Sequence, residues 1–162
     1  MEKPIRINLG SGVHPWPGFV NVDYDGDCDV VSDVTCLPMF GDKSVDEIHA
    51  IHLFEHIDRM KVQDAVAQWR RILKDGGRLI LEMPCLDKIV SLICEGVVDP
   101  RLTLFGIFGD PRYESEYMRH RWCYTYAEIE EVLKHGGFEV SFEEPVYHKK
   151  QRDMRVIGVS NL

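Results

Sequence analysis

The sequence predicts an α/β domain built on a mostly parallel sheet of about seven strands, closed by an antiparallel C-terminal strand. Three observations predict it. Apolar runs of strand length alternate with amphipathic runs of helix length over most of the 162 residues, the pattern of a parallel sheet with helices packed on both faces. Ile5, Ile7 and Leu9 alternate and run straight into Gly10-Ser11-Gly12, a strand that ends in a glycine turn. Two further strand-like runs end on Asp23 and Asp33. Glycines and carboxylates therefore collect at the carboxyl ends of strands, where open α/β sheets bind ligands.

Taken in order, the first strand spans 5–9. Pro15, Pro17 and Gly18 then forbid a regular helix. The second strand, Phe19 to Val22, begins so soon that the first crossover helix is reduced to a turn. Asp29 to Ser32 is a third short strand, and Val45 to His52 a fourth, finishing in His52-Leu53-Phe54-Glu55-His56. A helix is predicted from about Arg59 to Leu73, with Asp58 as its N-cap. Val62, Ala65, Val66, Trp69, Ile72 and Leu73 form its apolar stripe, and Gly76-Gly77 is expected to stop it. Arg78 to Met83 is the fifth strand, closed by Pro84. Leu86 to Val98 reads as a helix with Ile89, Val90 and Ile93 facing inward.

From Asp99 to Cys123 the pattern breaks into glycines, prolines, tyrosines and arginines, as a lid or binding loop does. Thr125 caps a helix, with Glu128 in capping-box position. Ile129, Val132 and Leu133 are its inner face, and Gly136-Gly137 ends it. Phe138 to Glu143 and Arg155 to Val159 are the last strands, joined by a basic loop with Lys149, Lys150 and Arg152. Trp16 and Trp69 read as packing residues.

A chain of this length predicts one domain over 1–162, with 86–123 as its lid or substrate-binding segment. The net charge of -8 argues against nucleic acid and anionic membranes, which need a cationic face. No apolar run reaches the length of a membrane span, and the opening Met1-Glu2-Lys3-Pro4 has no signal-peptide pattern. Five cysteines, Cys28, Cys36, Cys85, Cys94 and Cys123, include no Cys-x-x-Cys pair. Neither a disulfide framework nor a zinc site is indicated, and a reducing cytoplasm is the expected compartment.

A carboxylate ending the second strand suits the two hydroxyls of a ribose, and one after the third suits an adenine amine. Alone, each is as well read as a turn residue. Together with the glycine turn, and in this order, they resemble the class I S-adenosylmethionine-dependent methyltransferases. Leu9-Gly10-Ser11-Gly12 matches that family's glycine motif, Asn21-Val22-Asp23 its acidic motif, and Asp33-Val34 its adenine-contacting segment. Asp46-Glu47-Ile48 through Glu55-His56 matches its fourth-strand motif. Trp69 through Leu79, with Arg70-Arg71-Ile72-Leu73-Lys74-Asp75-Gly76-Gly77-Arg78 between, matches its helix-to-fifth-strand signature. His120-Arg121-Trp122 and Leu133 through Phe138 resemble its C-terminal section.

The resemblance implies a Rossmann-like fold of the short subgroup lacking the N-terminal helical cap. It also implies S-adenosyl-L-methionine as cofactor and S-adenosyl-L-homocysteine as product. It assigns Leu9, Gly10, Ser11, Gly12, Asp23, Tyr24, Asp33, Val34, Ile51 and His52 to the cofactor. The Gly-x-Gly turn with Pro15 where a third glycine would stand weighs against NAD.

Histidine titrates near neutrality, so His56, His52 and His120 are the candidate catalytic bases. A satisfied structural histidine is the alternative for each. His52-Leu53-Phe54-Glu55-His56 also spells a zinc-peptidase pattern, which needs a helix to place both histidines on one face. Here it straddles a strand end, so no metal is expected. Arg112, Arg119 and Arg121 with Tyr113 and Trp122 suit an anionic or sugar-like substrate, or a solvated loop. The expected activity is methyl transfer to a small molecule or glycan precursor, with a homodimer as a way to cover an exposed cofactor. The rival functions are a non-enzymatic binding module on the same fold and a nicotinamide-dependent oxidoreductase.

Overall fold

The protein, analysed as a computed structural model, is described over residues 3–161. Met1 and Glu2, part of the opening stretch read as free of a signal peptide, lie outside the described residues, as does Leu162. Seven strands form one sheet: β1 (Arg6–Leu9), β2 (Val20–Asp23), β3 (Val30–Val31), β4 (Val45–Ile51), β5 (Leu73–Pro84), β6 (Phe138–Glu143) and β7 (Asp153–Ser160). Their order is β3-β2-β1-β4-β5-β7-β6. Only β7 runs antiparallel to its neighbours. This is the expected mixed sheet. The chain between β1 and β2 holds turns and no helix, as the prolines require.

Register decides which side chains share a face. Leu9 pairs with Val22 and Ala50, and Ile48 with Leu79. These residues are fully buried in one apolar core with Trp69 and Val66 of helix α1 (Val62–Ile72) and Ile129 and Leu133 of helix α4 (Tyr126–His135). The two helices touch, since a Cβ added at Gly136 would lie 2.2 Å from Val66.

The opposite face is polar. Asn8 pairs with Asn21 and His49, His49 with Ile80, and Glu82 with Arg155. Over part of this face the rings of Trp16, Phe19 and Tyr147 do the covering. Trp16 meets His49 edge-on at 5.3 Å and lies 5.0 Å from Tyr147, while Phe19 meets His49 at 5.2 Å. Two loops thus shelter polar strand positions where the first crossover helix is lost.

Three expectations are corrected. The helix after Asp58 opens as a 3₁₀ turn, Arg59–Lys61, which Asp58 caps through Met60 N, and it ends at Ile72 rather than at Gly76-Gly77. Leu73 is already extended and pairs with Val45. Sheet pairing thus overrides local helix propensity, and Gly76, at φ +77°, serves an irregularity within β5. Helix α2 (Leu86–Cys94) stops at Cys94 and buries only Ile89, with Val90 and Ile93 about half exposed. β7 begins at Asp153, two residues before the predicted strand, and its extra residues pair with Met83 and Pro84.

Helix α3 (Leu104–Phe108) lies against α2, for a Cβ on Gly106 would press on Ile89 and on Arg152. Lys88 donates to the carbonyls of Lys150 and Asp153, so this group packs at the carboxyl edge of the sheet. No described helix is long and apolar enough to cross a membrane.

Thr125 caps α4 as predicted, its Oγ1 accepting from Glu128 N at 3.1 Å. The Glu128 carboxylate does not reach back to close the capping box. It accepts from Trp122 Nε1 at 3.0 Å and Arg59 Nη2 at 3.4 Å instead. Thr125→Ala is expected to cost about 1 kcal/mol, read as a lower urea midpoint with an unchanged slope. An unchanged midpoint would contradict the cap.

Candidate active site

The glycine turn after β1 is held by its neighbours. Gly10, at φ +69°, donates from its N–H to Val22 O at 2.8 Å. A Cβ there would come within 2.9 Å of Leu53 Cδ1, so the β1 turn and the chain leaving β4 are in contact. Gly12, at φ +53°, has nothing within 4 Å of a built Cβ and borders open space. Its N–H donates to Asp23 Oδ2 at 2.7 Å, and Tyr24 N–H donates to Asp23 Oδ1 at 2.7 Å. Asp23 is therefore aimed by two backbone donors at the rim of this turn, with accepting capacity left. Ser11 is buried, and its Oγ has no hydrogen-bond partner among the described residues. Bared backbone, an oriented carboxylate and an orphaned hydroxyl fit an adenosyl group. An uncharged nucleoside needs no helix N-terminus, and none is present here.

Asp33 stands further along the rim. Its Oδ1 accepts from Thr35 N at 2.9 Å and Thr35 Oγ1 at 2.8 Å, so half of it serves a turn. Val34 O accepts from Trp69 Nε1 at 2.9 Å, tying this segment to α1. Leu9 is wholly buried and Ile51 half-buried, so Leu9 presents backbone only. Exposed Tyr24, next to Asp23, lies 5.0 Å from the ring of Tyr117 in the irregular segment.

The three candidate histidines converge on one residue, Glu55. His52 follows β4 with φ +52°, a left-handed conformation rare for a side-chain-bearing residue and typical of functional positions. Its Nε2 lies 3.0 Å from Asp153 Oδ2, and its Nδ1 lies 3.0 Å from Glu55 Oε1. The second contact is an ion-pair distance without hydrogen-bond alignment. The 3₁₀ turn Phe54–His56 buries Glu55 almost completely. His120 Nε2 lies 3.9 Å from Glu55 Oε1, while its Nδ1 is 2.9 Å from Gly106 O. His56 Nδ1 is 3.1 Å from Arg119 O, and its ring meets His120 edge-on at 4.8 Å. Arg121 N and Trp122 N both donate to Glu55 O, so the irregular segment is pinned to the β4 exit.

Burial opposes charge on His52, but Glu55 and Asp153 outweigh it and raise its pKa to about 9. Burial likewise resists ionisation of Glu55, and His52 overrides it, with His56 and His120 adding, to hold the carboxyl at about 2. Asp153 is buried too, and the bonds from His52 and Arg152 carry its pKa down to about 2. His52 is thus a fixed cation between two carboxylates.

Sequence reasoning missed Asp153, its partner Arg152 and the central place of Glu55. Asp153 binds His52 across 101 residues of sequence, and nothing local announces that. Arg112, Arg119 and Arg121 are exposed. Arg112 pairs with Asp110, and Arg119 with Glu116 at 3.7 Å, so they do not converge on one ligand. A concavity lined by Asp42, Arg70, Arg71 and His135 borders α1 and includes no residue of the glycine turn or of the histidine cluster.

Residues 12–81 match the family of the methyltransferase domain. No curated protein sequence matches the chain. Among solved structures, a Pyrococcus horikoshii OT3 protein superposes with a TM-score of 0.67 at 18% identity, over 99% of this chain and 83% of that one. A Methanosarcina mazei S-adenosylmethionine-dependent methyltransferase gives 0.65 at 17% identity, over 100% and 95%. One from Archaeoglobus fulgidus gives 0.64 at 16% identity, over 96% and 86%. The domain match runs from Gly12 through Asp23, Asp33 and the β4 exit to Leu81, and the solved structures share the fold over nearly the whole chain.

Proposed function

We propose that the chain transfers the methyl group of S-adenosylmethionine to an oxygen or nitrogen nucleophile on a small molecule or glycan precursor. One observation carries this reading: the glycine turn, Asp23 and the histidine–carboxylate cluster meet along one edge of the sheet, joined by the Leu53–Gly10 contact. The cofactor supplies a methyl group already activated by its sulfonium charge. Gly10 and Gly12 leave room for its approach, Asp23 accepts from its ribose hydroxyls, and Tyr24, Asp33 and Val34 line the adenine side.

Alignment is the protein's main contribution to such a transfer, and it is worth on the order of 7–11 kcal/mol. His52, clamped between Asp153 and Glu55, fixes the β4 exit. His56 and His120 each engage Nδ1 with a backbone carbonyl. Each is left with an Nε2 lone pair, the group that accepts a proton from the incoming nucleophile. Segment 86–123 is the lid and acceptor-binding element, because it supplies His120 and meets the cofactor rim through Tyr117.

Calorimetry with S-adenosylmethionine, S-adenosylhomocysteine and NAD tests the cofactor. The first two are expected to bind and NAD is not. Turnover in pools of small-molecule and sugar-nucleotide acceptors tests the substrate class. Binding of NAD alone would overturn the reading, and cofactor binding without turnover in any pool would favour a binding module.

A further inference from the structure

We propose that Glu55, His56 and His120 form a binding site for one divalent transition cation of the Zn2+ or Co2+ type. One ligand atom from each residue lies within 4.8 Å of the others. Glu55 is 1% exposed; His52 Nδ1 lies 3.0 Å from Oε1 and offsets its charge, yet neither carboxylate oxygen receives an aligned hydrogen bond among the described residues. Its lone pairs are therefore unused by any aligned donor, and a buried acceptor left so is costly until a further partner completes it.

The histidines are set up for that partner. Each has Nδ1 at hydrogen-bond distance from a main-chain carbonyl, Arg119 O for His56 and Gly106 O for His120. This is how metal-binding imidazoles are oriented: the bond fixes Nδ1–H and presents Nε2. Two imidazoles and one carboxylate suit a borderline transition cation. Three protein ligands leave coordination positions open, and partly exposed His56 gives a way in.

The His-x-x-Glu-His run therefore works differently from a helical zinc motif. His52 turns to Asp153, and the third ligand comes from the irregular segment. The neighbouring group of His52, His148 and Asp153 is not an equivalent site. Its Asp153 is already engaged by His52, Arg152 Nε and Lys149 N.

The role of the cation rests on the methyl-transfer reading, although its binding does not. With the cation bound, Nε2 of His56 and His120 are its ligands and no longer bases; its open positions take a hydroxyl oxygen of the acceptor and lower that hydroxyl's pKa. The proton leaves to water, the oxygen bonds to the methyl carbon, the carbon–sulfur bond breaks, and sulfur keeps the electron pair. The acceptor is then an alcohol or phenol rather than an amine.

Tag-free protein, without cofactor, is titrated with Co2+ and followed by the visible d–d bands, then back-titrated with Zn2+. One equivalent is expected to bind and to be displaced by Zn2+. Glu55→Gln and His56→Ala are expected to weaken binding by more than about ten-fold, and His148→Ala to leave it unchanged. Glu55 is a core position, so partly exposed His56 carries the test if the Glu55 variant fails to fold by circular dichroism. No Co2+ binding by the wild type, wild-type titration of His56→Ala, or loss on His148→Ala would each overturn the site. S-adenosylhomocysteine calorimetry on the same preparation reads the methyl-transfer assignment separately.

Discussion

Glu82→Ala is expected to destabilise the protein by about 3–5 kcal/mol. Glu82 has no exposed surface, and its carboxylate gathers three donors. Oε1 accepts from Arg155 Nη1 at 2.7 Å and from Val146 N at 2.7 Å, and Oε2 accepts from Tyr147 N at 3.0 Å. Without it, a nearly buried guanidinium keeps only half-exposed Glu143, 3.2 Å away, and two backbone N–H groups lose their acceptor. The damage spreads outward, because Tyr147 is the ring that rests on Trp16 over the polar sheet face. Urea unfolding measures the loss, and a change below about 1 kcal/mol would contradict it. The double variant Glu82→Ala/Arg155→Met should recover part of the stability, since it strands no charge.

That carboxylate also marks the boundary of what the sequence reveals. The glycine turn, Asp23 and the α4 cap were legible because each is a local pattern: alternation running into Gly10, a strand ending on an acid, and a threonine three residues before a glutamate. The lost first crossover was legible for the same reason, since Pro15 and Pro17 act on their own neighbours. Glu82 reads as one more strand residue, and its partner Arg155 lies 73 residues on. The polar sheet face exists only once β5 and β7 are side by side.

Leu73 makes the same point in reverse. It continues the helical stripe perfectly well, yet pairing with Val45 claims it for β5. At the candidate site, the three histidines were found as types and positions. Their meeting on Glu55 needed the 3₁₀ turn at 54–56 and the return of segment 119–122, neither of which has a periodic signal. Asp153 was hidden by distance alone.

Asp23→Ala is expected to weaken S-adenosylhomocysteine binding by about ten- to a hundred-fold, the loss of charge-assisted hydrogen bonds worth roughly 1.5–3 kcal/mol. The carboxylate does two things in the folded protein. It accepts from Gly12 N and Tyr24 N, both at 2.7 Å, which fixes the shape of the turn, and it keeps free lone pairs, which the proposed function gives to a ribose. Asp23→Asn separates the roles. An amide oxygen can still take the Gly12 N–H and preserve the turn, but it presents no charge and fewer accepting positions to a diol. An intermediate affinity is therefore expected for Asp23→Asn. Asp33→Ala should cost less than Asp23→Ala, because one Asp33 oxygen is already committed to Thr35. Calorimetry on the three variants gives the ranking. Equal affinities for wild type and Asp23→Ala, with the fold intact by circular dichroism, would move the ribose away from β2 and with it the whole placement of the cofactor.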